Sequence, residues 1–109
     1  MTTSITPWKA FSAVVALGKD TPGWTLAEVV EGEPHAARTF TTHITFSEPF
    51  QFVPVMHSSL VGFDLDQRDS QRVSVAISNA STTGFDLAVT TWMASRVYSV
   101  EVSWLALGS

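Results

Sequence analysis

Cysteine is absent from this 109-residue chain, so there is no disulfide framework, no thiolate nucleophile and no cysteine-ligated zinc. Its absence leaves the compartment open, because secreted proteins also do without cysteine. Charge is scarce too. Only 15% of residues are charged, where an average soluble domain has about a quarter. A small domain has much surface for its volume, so a chain with few charges points to surface covered by another subunit. Basic residues number six against ten acidic ones and form no run, which removes the electrostatic footprint needed to hold nucleic acid or anionic lipid. Long apolar runs are missing as well. The longest, Ala10 to Gly18, is too short to span a bilayer and contains Ser12. Lys9 precedes that run, but Lys19, Asp20 and Pro22 follow it where a signal peptide needs small residues, so no signal peptide is recognisable and the run reads as a strand.

What is present is alternation. Phe11, Ala13, Val15 and Leu17 share one face, as do Phe40, Thr42, Ile44 and Phe46. Val73, Val75 and Ile77 alternate with serine and alanine. Phe85, Leu87 and Val89 alternate with Asp86, Ala88 and Thr90, and Val100, Val102 and Trp104 with Glu101 and Ser103. These are the marks of half-buried antiparallel strands. The breakers Thr21-Pro22-Gly23, Gly32-Glu33-Pro34, Ser47-Glu48-Pro49 and Ser78 to Gly84 separate them. The pattern predicts strands over about 11–17, 39–46, 53–61, 72–79, 84–92 and 96–106. No window carries a helical period. Two sheets of three strands, packed face to face, bury the apolar faces, so the expected fold is all-β: a six-stranded antiparallel β-sandwich over residues 11–109. Residues 1–10 read as an N-terminal arm, and residues 24–30 fit neither period and read as irregular.

Catalytic constellations are not evident. No G-x-S-x-G elbow is present, and the serines occupy turn and outward strand positions. His35, His43 and His57 lack metal-ligand spacing. His43 should face outward, His57 reads as an interior residue of an apolar strand, and His35, in a Gly-Pro-bounded loop, is the functional candidate. Asp64, Asp66 and Asp69 have a calcium-loop look but lack the turn glycine and the distal glutamate. With Arg68 and Arg72 they make residues 64–72 a charge-dense stretch, either a solvated loop or the wall of a polar pocket. Trp92 points away from Phe85, Leu87 and Val89 at a strand end, as a subunit contact or a stacking platform for an apolar ligand face would. Trp104 reads as core. Asn79-Ala80-Ser81 has the glycosylation pattern in what reads as an ordinary turn.

One set of residues carries a likeness. Ile44-Thr45-Phe46, Phe50, Pro54, Arg72-Val73, Thr83-Gly84-Phe85, Thr91-Trp92, Val97-Tyr98-Ser99 and Ser103-Trp104, in this order and spacing, resemble the H-type lectin domain family over about Phe11 to Leu107. The resemblance implies a parallel homotrimer with sugar sites in clefts between subunits, and no cofactor. It implies that Arg72 hydrogen-bonds sugar hydroxyls, that Trp92 packs on the sugar and that Tyr98 closes the pocket. A guanidinium fork matches vicinal hydroxyls, and an aromatic ring matches a C–H face.

Two positions depart from the snail-type members. Met93 stands where they have a histidine, and His35, with Glu33 nearby, where they have an aspartate. His35 accepts only through an unprotonated ring nitrogen, so a cleft that it lines should bind with a pH response across roughly pH 5 to 8 and turn toward acidic or sulfated glycans when protonated. Met93 favours an acetyl or methyl substituent over a bare hydroxyl.

The expected function is a non-catalytic, trimeric lectin for galactose- or N-acetylgalactosamine-type glycans, acting by avidity in recognition or adhesion. The expected binding residues are Arg72, Trp92, Met93, Tyr98, His35, Glu33 and Asp64. The alternative is a structural or attachment module that keeps the sandwich and has lost the sugar site.

Overall fold

The computed structural model describes residues 8–109. It is an all-β sandwich of six strands: β1 (Lys9–Gly18), β2 (Arg38–Thr45), β3 (Val55–Leu65), β4 (Ser74–Ser78), β5 (Gly84–Thr91) and β6 (Val97–Gly108). One antiparallel sheet has the order β1-β6-β3 and the other the order β2-β5-β4. Each central strand, β5 and β6, buries alternate residues completely or nearly so. Phe85, Leu87 and Val89 from β5 face Val100, Val102 and Ala106 from β6. Burying such a side chain contributes roughly 1.5–3 kcal/mol for the larger aliphatic and aromatic types, which is why the alternation is strict on these two strands and looser on the edges.

Strand ends differ from the sequence expectation for local reasons. β1 starts at Lys9, because its ladder with β6 continues through Ala10↔Leu107 and Lys9↔Gly108. The expected N-terminal arm therefore falls mainly on residues 1–7, outside the described residues. β3 runs on to Leu65 through a bulge between Leu60 and Gly62, which bends the strand and lets it pair again as far as Val97. β4 is shorter than predicted and begins at Ser74, since the carbonyl of Arg72 accepts a hydrogen bond from the Thr91 hydroxyl. The irregular segment before β2 is not peripheral. Leu26 is fully buried, its carbonyl accepts from the Val97 amide at 2.7 Å, and the Trp24 indole donates to the Val97 carbonyl at 2.9 Å.

The two ends of the sandwich are built differently. At one end Phe11, Phe46, Phe50, Phe85 and Trp104 form an aromatic plug with ring centroids 5.1–6.3 Å apart. Gly84 lets β5 approach β2 here, since a Cβ would lie 2.3 Å from the Ile44 carbonyl oxygen. At the opposite end β1, β3 and β5 finish and β2, β4 and β6 begin, so the loops 19–37, 66–73 and 92–96 converge there.

The two outer faces also differ. β2-β5-β4 presents Thr39, Thr41, His43, Thr45, Asp86, Ala88, Thr90, Ser74, Ala76 and Ser78. His43 faces outward as expected, 2.8 Å from Asp86, whose carboxyl Asn79 and His43 hold below the usual range. That bond engages the Asn79 amide of the glycosylation pattern. The outer face of β1-β6-β3 carries small and apolar residues with little charge instead, in cross-strand rows of Ala10–Leu107–Val55, Ser12–Leu105–His57 and Val14–Ser103–Ser59, followed by Ala16–Glu101–Gly62. Val14 is 60% exposed and Val55 70%. His57 lies on this face and is exposed, so the interior role expected from its apolar strand is corrected: Val55 and Met56 just before it are apolar on the outer and the inner face alike, and hydropathy could not tell one face from the other.

Candidate functional site

At the loop end the organising residue is Arg38, the first residue of β2. Its side chain is buried, with 6% of the residue exposed. Its guanidinium donates to four backbone carbonyls: Ala36 at 3.3 Å, Met93 at 2.9 Å, Ser95 at 2.7 Å and Glu28. Each carbonyl belongs to a loop with no ladder partner, and a planar fork with five N–H donors is the side chain able to reach several at once. Burial lowers the Arg38 pKa from its ordinary value, and the nearby charge of Arg96 adds to this. Sequence analysis missed this residue, because an arginine opening a strand carries no signal of what its head will meet.

Arg38 fixes Met93. The Met93 backbone sits in the left-handed region, with φ 61°. A non-glycine residue there is strained by about 1 kcal/mol or more and persists only where its surroundings hold it. Here its carbonyl takes the Arg38 bond, and its amide donates to the His35 carbonyl at 3.2 Å. The loop containing His35 is therefore docked against the one containing Trp92 and Met93. His35, Trp92 and Met93 are all exposed at this junction, Trp92 to 38% and Met93 to 39%.

Arg72 joins the group through Ser95. One Nη of Arg72 donates to the Ser95 hydroxyl at 3.1 Å, and that hydroxyl in turn donates to the Ser70 carbonyl. Arg72 Nη1 also lies 3.7 Å from Asp69, which is the acidic neighbour rather than Asp64. Among the described residues the Nε and Nη2 of Arg72 donate no hydrogen bond. The guanidinium is thus oriented on one edge and open on the other.

Tyr98 is placed differently. Its hydroxyl donates to Asp66 at 2.6 Å, Lys19 lies 4.9 Å above its ring, and no hydrogen bond joins it to Arg72, Met93 or His35. Asp66 also accepts from Arg68 through Nε, Nη2 and the backbone amide. Asp64 and Tyr98 share a cleft of about 500 Å³ with Lys19, Thr21, Ser99 and Glu101. Glu33 lies in the small turn that pairs with Val30, exposed and away from these contacts. The structure therefore links the segments carrying Arg72, Trp92, Met93 and His35 through Ser95, Arg38 and the Met93 amide, while Tyr98 and Asp64 make no hydrogen bond to that group. Asp66 and Asp69 turn to different cations, Arg68 and Arg72, so the acidic residues of this stretch do not converge in calcium-loop fashion.

The hydrogen bonds from Arg68 and from Tyr98 hold the Asp66 carboxyl well below the usual carboxylate range, and the same Asp66 contact raises the Tyr98 phenol above its ordinary value. The signs set a window. Asp66 is depressed, so its contribution is present above about pH 4 and declines as pH falls toward its folded-state value. Tyr98 is raised, so its contribution is present below about pH 10 and is lost as pH rises through its folded-state value. Tyr98 is the one tyrosine in the chain, so phenolate absorbance reports it alone. Asp66→Asn should move its titration midpoint down toward the ordinary value. An unmoved midpoint would mean that the pair does not exist in solution.

A β-sandwich whose loops gather an arginine and an exposed tryptophan at one end, on ordered backbone, offers that end as a binding surface. Residues 41–107 match the H-type lectin domain, and the chain belongs to that family. It superposes on two structures of discoidin II from Dictyostelium discoideum with TM-scores of 0.77 and 0.79, at 22% identity, over 98% and 99% of this chain and 39% of theirs. At that identity the likeness is one of fold. Among curated proteins it is 32% identical over 72 residues to the ATP synthase subunits region ORF 7 of Fuscovulum blasticum, covering 66% of this chain and 63% of that protein. The chain thus spans less than two thirds of the relatives that it matches.

Proposed function

We propose that this protein is a carbohydrate-binding lectin that assembles as a homotrimer and takes galactose- or N-acetylgalactosamine-type glycans in clefts between subunits. The observation that carries this reading is the half-committed Arg72, held by Ser95 on one edge and open on the other, at the end of a lectin-family domain that also exposes Trp92. Guanidinium donors suit sugar hydroxyls, and the indole suits a C–H face. Tyr98, bonded to Asp66, makes no contact with the Arg72 group of its own chain, and in a trimer it would serve a cleft shared with a neighbouring subunit. The outer face of β1-β6-β3, small and apolar over much of its area, offers a surface for subunit contact that fits the low charge content. A single shallow cleft binds weakly, so useful affinity comes from several sites engaging a decorated surface.

Arg72→Ala tests the reading. Its own contacts are one serine hydroxyl and a long ion pair to an exposed carboxylate, worth about 1 kcal/mol or less to stability. The variant should fold and assemble as the parent does, while calorimetry with N-acetylgalactosamine shows a loss of about tenfold or more. Unchanged sugar affinity would remove Arg72 from the site. A parent protein that assembles but binds no glycan on an array would leave the attachment-module reading standing.

A further inference from the structure

Apart from Lys9, every basic residue of the chain lies at the loop end: Lys19, Arg38, Arg68, Arg72 and Arg96. Three of the four arginines have acceptors. Arg38 holds backbone carbonyls, Arg68 holds Asp66, and Arg72 meets Ser95 and Asp69. Half-buried Arg96 has none among the described residues, although it stands on the wall of a cavity of about 240 Å³ with Asp66, Arg68, Asp69 and Ala94.

Building on the lectin reading above, we propose that Arg96 is a subsite for an anionic substituent, a carboxylate or a sulfate, of a glycan seated against Arg72 and Trp92.

The cavity adjoins that surface directly. Ala94, which lines it, follows Met93 in the chain, and Asp69, which also lines it, is the neighbour of Arg72. Two carboxylates on the wall would ordinarily repel an anion, but both are engaged. Asp66 takes the Arg68 guanidinium, the Arg68 amide and the Tyr98 hydroxyl; Asp69 takes the Ser70 amide at 2.7 Å and the long contact with Arg72. With the two acids offset by two arginines, Arg96 is the uncompensated charge. It acts against the buried Arg38, whose pKa it helps to lower, so an anion at Arg96 would relieve a repulsion as well as form a forked, charge-assisted contact.

The test compares N-acetylgalactosamine, its 4- and 6-sulfates, and galacturonic acid by calorimetry on the whole protein. The parent should bind at least one charged sugar about tenfold more tightly than the neutral one, since a hydrogen bond to a charged group contributes about 1.5–3 kcal/mol. That preference should shrink as salt is raised. In Arg96→Gln, with an unchanged melting temperature checked first, the charged-to-neutral ratio should fall to about one. A parent that binds the neutral sugar without preference for any charged one, or a preference that survives in Arg96→Gln, overturns the subsite and leaves the lectin reading intact. Binding of none of these sugars, nor of any glycan on an array, overturns both.

Discussion

Arg38→Met is expected to produce the largest single loss in this protein: about 3 kcal/mol or more of folding stability, a melting temperature lower by roughly 10 to 20 °C, and no measurable sugar binding. Methionine matches the length and apolar stem of arginine but donates nothing. The carbonyls of Glu28, Ala36, Met93 and Ser95 then lose their donors together at the point where three loops meet. Met93 also loses one of the two bonds that hold it in the left-handed region, so the turn carrying Trp92 relaxes toward ordinary backbone. Arg38→Lys separates charge from geometry. A lysine head is a compact cation that cannot reach the same set of carbonyls, so it should recover part of the stability and little of the binding. Melting curves read the first effect and calorimetry the second. A melting temperature within a few degrees of the parent for Arg38→Met would show that the loops are held by other contacts.

Placing a carboxylate on the outer face of β1-β6-β3 should dismantle the assembly without unfolding the sandwich. Leu105 is the suitable position: it lies on the central strand β6, points outward between Ser12 and His57, and is 39% exposed. In a threefold assembly packed on this face, Leu105→Asp brings three like charges into the contact, where desolvation is costly. Light scattering should return a monomer for the variant and a trimer for the parent. Binding to a multivalent glycan surface should fall by about 10²-fold or more as avidity is lost, and any cleft completed by a neighbour's Tyr98 would be lost with it. Thr41→Asp, on the polar outer face of the other sheet, is the control and should change neither mass nor binding. A parent that is monomeric at micromolar concentration, or a Leu105→Asp variant that remains a trimer, would place the subunit contact elsewhere or remove it.

Much of this architecture is legible in the residue order. Alternation at Phe85, Leu87 and Val89, and at Val100, Val102 and Trp104, is imposed by a two-residue side-chain period against a single core, so the central strands and their inner faces follow from hydropathy alone. The turn signals at Pro22-Gly23, Pro34 and Pro49 interrupt the strands because they cannot continue a ladder. Arg72 and Trp92 stand out for the same kind of reason, being residue types whose chemistry is conspicuous wherever they are exposed. Edge strands are less legible. His57 follows Val55 and Met56 in β3, one apolar residue on each face, and where both faces carry apolar residues the pattern no longer distinguishes inside from outside.

What the tertiary structure alone decided is the partnership among loops distant in sequence. The Arg38 guanidinium meets carbonyls 55 and 57 residues away, Met93 takes a left-handed conformation without a glycine, and Tyr98 turns to Asp66 rather than toward Arg72. Leu26, in a segment with no period at all, is fully buried. None of these follows from local pattern, because each is set by backbone groups that acquire their positions only when the two sheets have closed. Hydropathy is a property of a residue and its near neighbours, and is written in the chain. The fit of a forked cation to a ring of carbonyls, or of one arginine left without an acceptor, is a property of the assembled loop end, and exists only in three dimensions.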